Sequence, residues 1–124
     1  MDEIKNCLDT YALVEIKLGN PKFMKYFRAK FVITDLTLAE FYSVLLREEK
    51  EETADYWIKK FENYSVPVKK KILLEAVKFR RKNNKTNISF FDAVGYVFSI
   101  ENKYSFVTGD KEFEKFKGVE FRKK

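Results

Sequence analysis

Residues 89–110 read SFFDAVGYVFSIENKYSFVTGD, and this stretch decides the fold. Ser89 is placed to cap a helix over residues 90–102. That helix is apolar nearly all round, through Phe90, Phe91, Ala93, Val94, Tyr96, Val97, Phe98 and Ile100, so it is buried on most sides. Residues 104–107 follow as a short strand, and Thr108-Gly109-Asp110 leaves it. Two residues are out of place in so apolar a helix. Asp92 lies beside Phe91 and Val94, where a carboxylate loses solvation. Gly95 costs roughly 1 kcal/mol against alanine inside a helix and points to close packing.

The same alternation runs outward through the chain. Strands are expected at residues 4–8, 31–34 and 119–122, with a short extended piece at 64–68. A helix over residues 10–18 is closed by Gly19-Asn20-Pro21, and a short one follows at 22–28. Thr37 and Glu40 have capping-box spacing, ahead of Leu38, Phe41, Tyr42 and Leu45 at helical intervals. Ala54, Trp57, Ile58 and Phe61 mark another helix, residues 69–82 a basic one, and residues 110–116 a short last one. Strands alternating with helices imply a parallel sheet covered on both faces.

The chain has 124 residues, enough for one domain over 1–124. It has no histidine, which excludes a Ser-His-Asp triad and any imidazole-dependent zinc site. Its one cysteine, Cys7, excludes an intrachain disulfide. Charge is uneven: residues 1–62 carry 10 basic and 12 acidic groups, residues 63–124 carry 15 and 7. The basic half favours an anionic partner such as nucleic acid. No run of 18 apolar residues supports a membrane span. The start, Met1-Asp2-Glu3-Ile4-Lys5, lacks a signal-peptide core, so a cytoplasmic location is expected.

Most charges fall in solvated runs, but four carboxylates do not. Asp9 ends the first strand, Glu40 lies early in the helix after the second, Asp92 opens the buried helix and Asp110 follows the strand at 104–107. In an open parallel sheet, ligands bind outside the carboxyl ends of the strands. Four acids meeting there would resist ionising unless a cation compensated them, and oxygen ligands suit Mg²⁺ or Mn²⁺. Singly, each acid also has a plain structural explanation as a cap, a loop residue or a partner of a helix N-terminus.

Together, Cys7-Leu8-Asp9-Thr10, Leu38-Ala39-Glu40, Phe91-Asp92-Ala93 and Thr108-Gly109-Asp110-Lys111-Glu112-Phe113 resemble the PIN-domain nucleases. At this length the chain looks most like the VapC-type toxins of toxin–antitoxin operons. The resemblance implies a three-layer α/β/α fold around a parallel sheet. It also implies metal-dependent endoribonuclease activity leaving 5′-phosphate and 3′-hydroxyl ends. Asp9, Glu40, Asp92 and Asp110 match the family's acidic quartet as catalytic and metal-binding residues. Thr108 matches a supporting hydroxyl, with Thr10 and Ser89 as further supporting candidates. Tyr11 departs from the pattern, in which a small polar residue often follows Asp9-Thr10.

Lys78, Arg80, Arg81, Lys82 and Lys85 are candidates for tracking RNA phosphates. Relatives of this type usually act as homodimers silenced by a cognate antitoxin, for which Tyr26, Tyr42, Tyr56 and Trp57 are candidate groove aromatics. Three other readings compete: an RNA-processing PIN nuclease outside a toxin–antitoxin pair, a nucleic-acid-binding module without catalysis, and a receiver domain. The last is disfavoured because Asp35 leads straight into the expected Thr37 cap.

Overall fold

Among the described residues five short strands form one sheet, largely apolar toward both faces. The computed structural model describes residues 3–124, so Met1 and Asp2 of the acidic start lie outside the described residues. The strands are β1 (Asn6–Leu8), β2 (Phe31–Thr34), β3 (Ser65–Val66), β4 (Ser105–Thr108) and β5 (Val119–Phe121). They are parallel throughout and ordered β3-β2-β1-β4-β5. Side chains alternate across the pleat: Leu8, Ile33 and Val107 enter one core, and Cys7, Val32 and Phe106 enter the other.

Among the described residues, six helices cover the two faces: α1 (Thr10–Lys17), α2 (Pro21–Arg28), α3 (Asp35–Glu48), α4 (Glu51–Phe61), α5 (Lys70–Lys82) and α6 (Phe90–Glu101). Helices α1 to α4 contribute Leu13, Phe23, Phe41 and Phe61 to the first core. Helices α5 and α6 contribute Ile72, Ala76, Val94 and Phe98 to the second. The result is the expected three-layer α/β/α arrangement. Gly95 sits where α6 crosses the sheet, and a Cβ there would lie 2.9 Å from the Phe106 ring. The glycine inside the helix thus buys the close helix–sheet approach that its position implied.

Helix starts follow local chemistry. Ser89 caps α6 as expected, its Oγ accepting from the Asp92 amide at 3.1 Å. The start of α3 is a correction: Thr34, not Thr37, is the cap. Both threonines offer a hydroxyl. Strand β2 ends at Thr34 in extended backbone, and its Oγ1 accepts from the Thr37 amide at 3.1 Å. Glu40 therefore falls in the second turn of α3 and closes no capping box. The last expected helix shrinks to a single 3-10 turn, Lys111–Phe113.

Strand order reverses around β1. The chain builds β2 and β3 outward on one side, then returns to place β4 and β5 on the other. Such a switch point leaves a crevice at the carboxyl ends of the two strands that flank it, here β1 and β4.

Candidate active site

Asp9 leaves β1 and caps α1, its Oδ1 accepting from the Ala12 amide at 2.9 Å. Its other oxygen, Oδ2, accepts from the Thr108 hydroxyl at the end of β4. The same Thr108 Oγ1 accepts from the Asp110 amide at 3.0 Å. Asp110 in turn caps the 3-10 turn, its Oδ1 accepting from the Glu112 amide at 3.0 Å. One threonine thus clamps the two strand ends of the crevice together. From α3, Glu40 reaches the same place, its Oε1 accepting from the Thr10 hydroxyl at 2.5 Å. Asp92 arrives on the first turn of α6. Helix α6 ends where β4 begins, so it runs opposite to the strands and its N-terminus lies at their carboxyl edge. All four acids line one cavity of about 390 Å³, with Thr10, Tyr11, Val44, Gly109 and Lys111.

The carboxylates perturb one another. Burial, followed by the charge of Asp92, raises Asp9 well above the ordinary aspartate range, against the Thr108 and Ala12 hydrogen bonds that favour its charge. Burial and the charges of Glu40 and Asp110 push Asp92 up to about 7, with Ser89 acting in the opposite direction. Cys7 beneath Asp9 is pushed up to about 12 by burial and is an inert core thiol. A cavity of four acids with one lysine on its wall carries uncompensated negative charge. Its donors are all oxygen, which fits a hard divalent cation. Among the described residues no three acids are yet gathered as a ready-made ligand set. A small ion that keeps several waters, as Mg²⁺ does, needs no such cage.

A family model for the PIN domain matches residues 7–119, nine-tenths of the chain. The chain belongs to the PIN-domain family. No curated protein sequence matches it. Among solved structures it is similar to the Mycobacterium tuberculosis toxin VapC20, described as cleaving the sarcin–ricin loop. That match has a TM-score of 0.79 at 16% identity, covering 95% of this chain and 99% of that one. DNA-bound VapBC from Salmonella typhimurium gives 0.77 at 17%, with 98% of each chain covered. PAE2754 from Pyrobaculum aerophilum gives 0.73 at 22%, covering 95% and 90%. At these identities the likeness is one of fold.

Within this PIN fold the other expected residues are distributed unevenly. Thr10 and Thr108 both bond directly to a cavity acid. The basic candidates sit elsewhere: Lys78 and Lys82 line a groove between α5 and α6, not the acidic cavity. Arg80 is tied down, its Nε donating to the Ile88 carbonyl at 3.1 Å. Of the groove aromatics, Tyr26 is buried and its hydroxyl donates to Glu120. Tyr42 donates to Asp55 at 2.5 Å, Trp57 packs on Phe61, and Tyr56 remains exposed. Reading the sequence did not place Lys111 or Tyr11 on the cavity wall. Lys111 directly follows Asp110, and that adjacency was the available signal.

No helix among the described residues is long and apolar enough to cross a membrane.

Proposed function

We propose that this PIN-domain protein is a Mg²⁺- or Mn²⁺-dependent endoribonuclease, the toxin of a type II toxin–antitoxin pair acting in the cytoplasm. The observation that carries the reading is the meeting of Asp9, Glu40, Asp92 and Asp110 in one cavity at the switch point of the sheet. One of the plain explanations for these acids has gone, since Glu40 closes no capping box.

Asp9 and Asp92 are the firmest candidates to hold the cation, with Asp110 contributing directly or through water. The Ala12 amide and the Thr108 hydroxyl hold the two oxygens of Asp9, which lines the cavity. Thr10 holds Glu40 on the cavity wall, where it can orient an attacking water. A bound divalent ion would supply a water of lowered pKa and neutralise charge on the leaving oxygen. The basic end of α5 and Lys85 would extend the RNA track away from the cavity. Several structures similar in fold are toxin–antitoxin complexes, including one from Klebsiella pneumoniae, which supports an antitoxin partner here. A homodimer is part of the same proposal.

The test is cleavage of a mixed RNA panel with Mg²⁺, Mn²⁺ or EDTA, beside Asp92→Asn. Cutting that needs the metal and Asp92 supports the proposal. No cutting, with no rise in Tm on adding either metal, would leave a nucleic-acid-binding module.

A further inference from the structure

Four carboxylates repel the phosphates they are proposed to act on, so the cavity needs cations at its mouth. On the cavity wall there is one, Lys111, exposed and directly after Asp110. A second group arrives from a part of the chain that neither the motifs nor the basic helix includes. Beyond β5, the Arg122 amide donates to the Thr108 carbonyl at 2.8 Å. Two residues on, the Lys124 amide donates to the Tyr11 hydroxyl at 3.2 Å. Thr108 bonds to Asp9, and Tyr11 lines the cavity, so residues 122–124 are laid along its lip. Gly109 makes this possible: a Cβ there would lie 2.0 Å from the Tyr11 ring and 2.6 Å from the Arg122 carbonyl oxygen. The Arg122 guanidinium turns to Tyr26 and Glu120. The side chains of Lys123 and Lys124 are exposed.

We propose that Lys111, Lys123 and Lys124, arrayed around the acidic cavity with the tail clipped to Tyr11, form the surface that holds the single-stranded nucleic-acid backbone beside the scissile bond. The inference rests on the nuclease reading and gives its substrate an entry path. It also gives the unusual Tyr11 a use. The ring packs between Phe23 and Gly109, and the hydroxyl anchors the basic tail. Arg80, Arg81 and Lys82 of α5 are contiguous in sequence, but Lys78 and Lys82 face a different groove, so these two stand farther along any bound strand.

The test is binding of a labelled single-stranded RNA of about 12 nucleotides, and of DNA of the same sequence, followed by anisotropy in EDTA across a salt series. Wild type is compared with Lys111→Ala/Lys123→Ala/Lys124→Ala and with Tyr11→Phe, each checked for an unchanged far-UV spectrum. Each phosphate contact on a single strand contributes about 0.7 to the slope of log K against log salt, so the triple variant should lose about 2 from the slope. Tyr11→Phe keeps the charges and loses the anchor, and should weaken binding about two- to tenfold. Equal effects on RNA and DNA identify a backbone surface; a larger effect on RNA adds a contact to the 2′-hydroxyl and also supports it. A triple variant with the wild-type slope overturns the inference, as does wild type that binds neither strand, which would leave these lysines to an acidic protein partner. Cleavage of the same RNA by wild type with Mg²⁺ separates the two proposals. Cutting with an unchanged slope in the triple variant sinks the inference alone. A lowered slope without cutting under any metal keeps the inference and sinks the nuclease reading.

Discussion

Two regions carry the unusual charge of this chain, and they are built in opposite ways. The cavity gathers four acids from positions 9, 40, 92 and 110, which nothing in the primary order brings together. Helix α5 and the residues after it carry Lys78, Arg80, Arg81, Lys82 and Lys85 almost in a row, all exposed. Contiguous charges on a helix radiate into solvent, because successive residues point about 100° apart. Separated charges converge when each ends or begins an element at the same edge of a sheet. Within the convergent set, burial and neighbouring carboxylates raise Asp9 and Asp92 above the ordinary aspartate range. On the proposed reading, a function built on concentrated charge would belong to the cavity, and the helix would supply diffuse attraction.

The largest expected effect sharpens this contrast. Asp92→Asn keeps the size of the side chain and removes one charge from the cavity. It should lower RNA cleavage by more than about a hundredfold, the upper range for losing an outer-sphere partner of a metal site. Near-wild-type cleavage would break the comparison, because a buried acid with no role is no different from a surface lysine.

Next in size is Thr108→Val. It removes the hydroxyl that bonds Asp9 and accepts from Asp110 without changing the shape of the strand end. A loss of about ten- to a hundredfold in cleavage is expected, with the fold retained in circular dichroism.

Gly109→Ala tests how tightly the two sides of the cavity mouth are packed. The added methyl has no room beside Tyr11 and the Arg122 carbonyl, and should cost about 1–3 kcal/mol of stability by urea unfolding. An unaffected midpoint would mean that the Tyr11–tail contact is loose.

The smallest effect is a pH dependence. In the metal-free fold, Asp92 is pushed up to about 7 from the ordinary 3.8. Between those values the folded chain holds a proton that the unfolded chain has released. The contribution of this group to stability is therefore present at low pH, is lost as pH rises from about 4 to about 7, and is level above that. Asp92→Asn stays neutral at every pH. In EDTA, the Tm of the variant minus that of wild type should grow across this window and then stop growing. A constant difference would mean that neither burial nor the neighbouring acids raise Asp92 in the folded chain.

Much of this was legible in the sequence. Strand and helix order, the Ser89 cap and the all-round apolar α6 follow from periodicity, and the four acids stand out because three of them mark strand-to-helix junctions. The parts that were not legible have specific causes. Thr34 and Thr37 are three residues apart with the same hydroxyl, and only the end of β2 decides which one caps α3. Asp92 looked less secure as a member of the set because its helix precedes a strand. The direction of α6 resolves that, since a helix feeding a parallel strand starts at the carboxyl edge. The basic lip was hidden because Lys123 and Lys124 approach Tyr11 across more than 110 residues. The row on α5, by contrast, was conspicuous in the sequence, and its Lys78 and Lys82 line a different groove.

The central claim is that the four carboxylates form a site for a divalent cation, and calorimetric titration of Mn²⁺ into the metal-free protein at pH 7 tests it most directly. The expected result is saturable binding with proton release, measured by repeating the titration in buffers of different ionisation heat, because Asp92 must give up the proton it partly holds at that pH. In Asp92→Asn the binding should weaken and the proton release should fall. No saturable binding to wild type, or binding of equal strength and equal proton release in Asp92→Asn, would contradict the account.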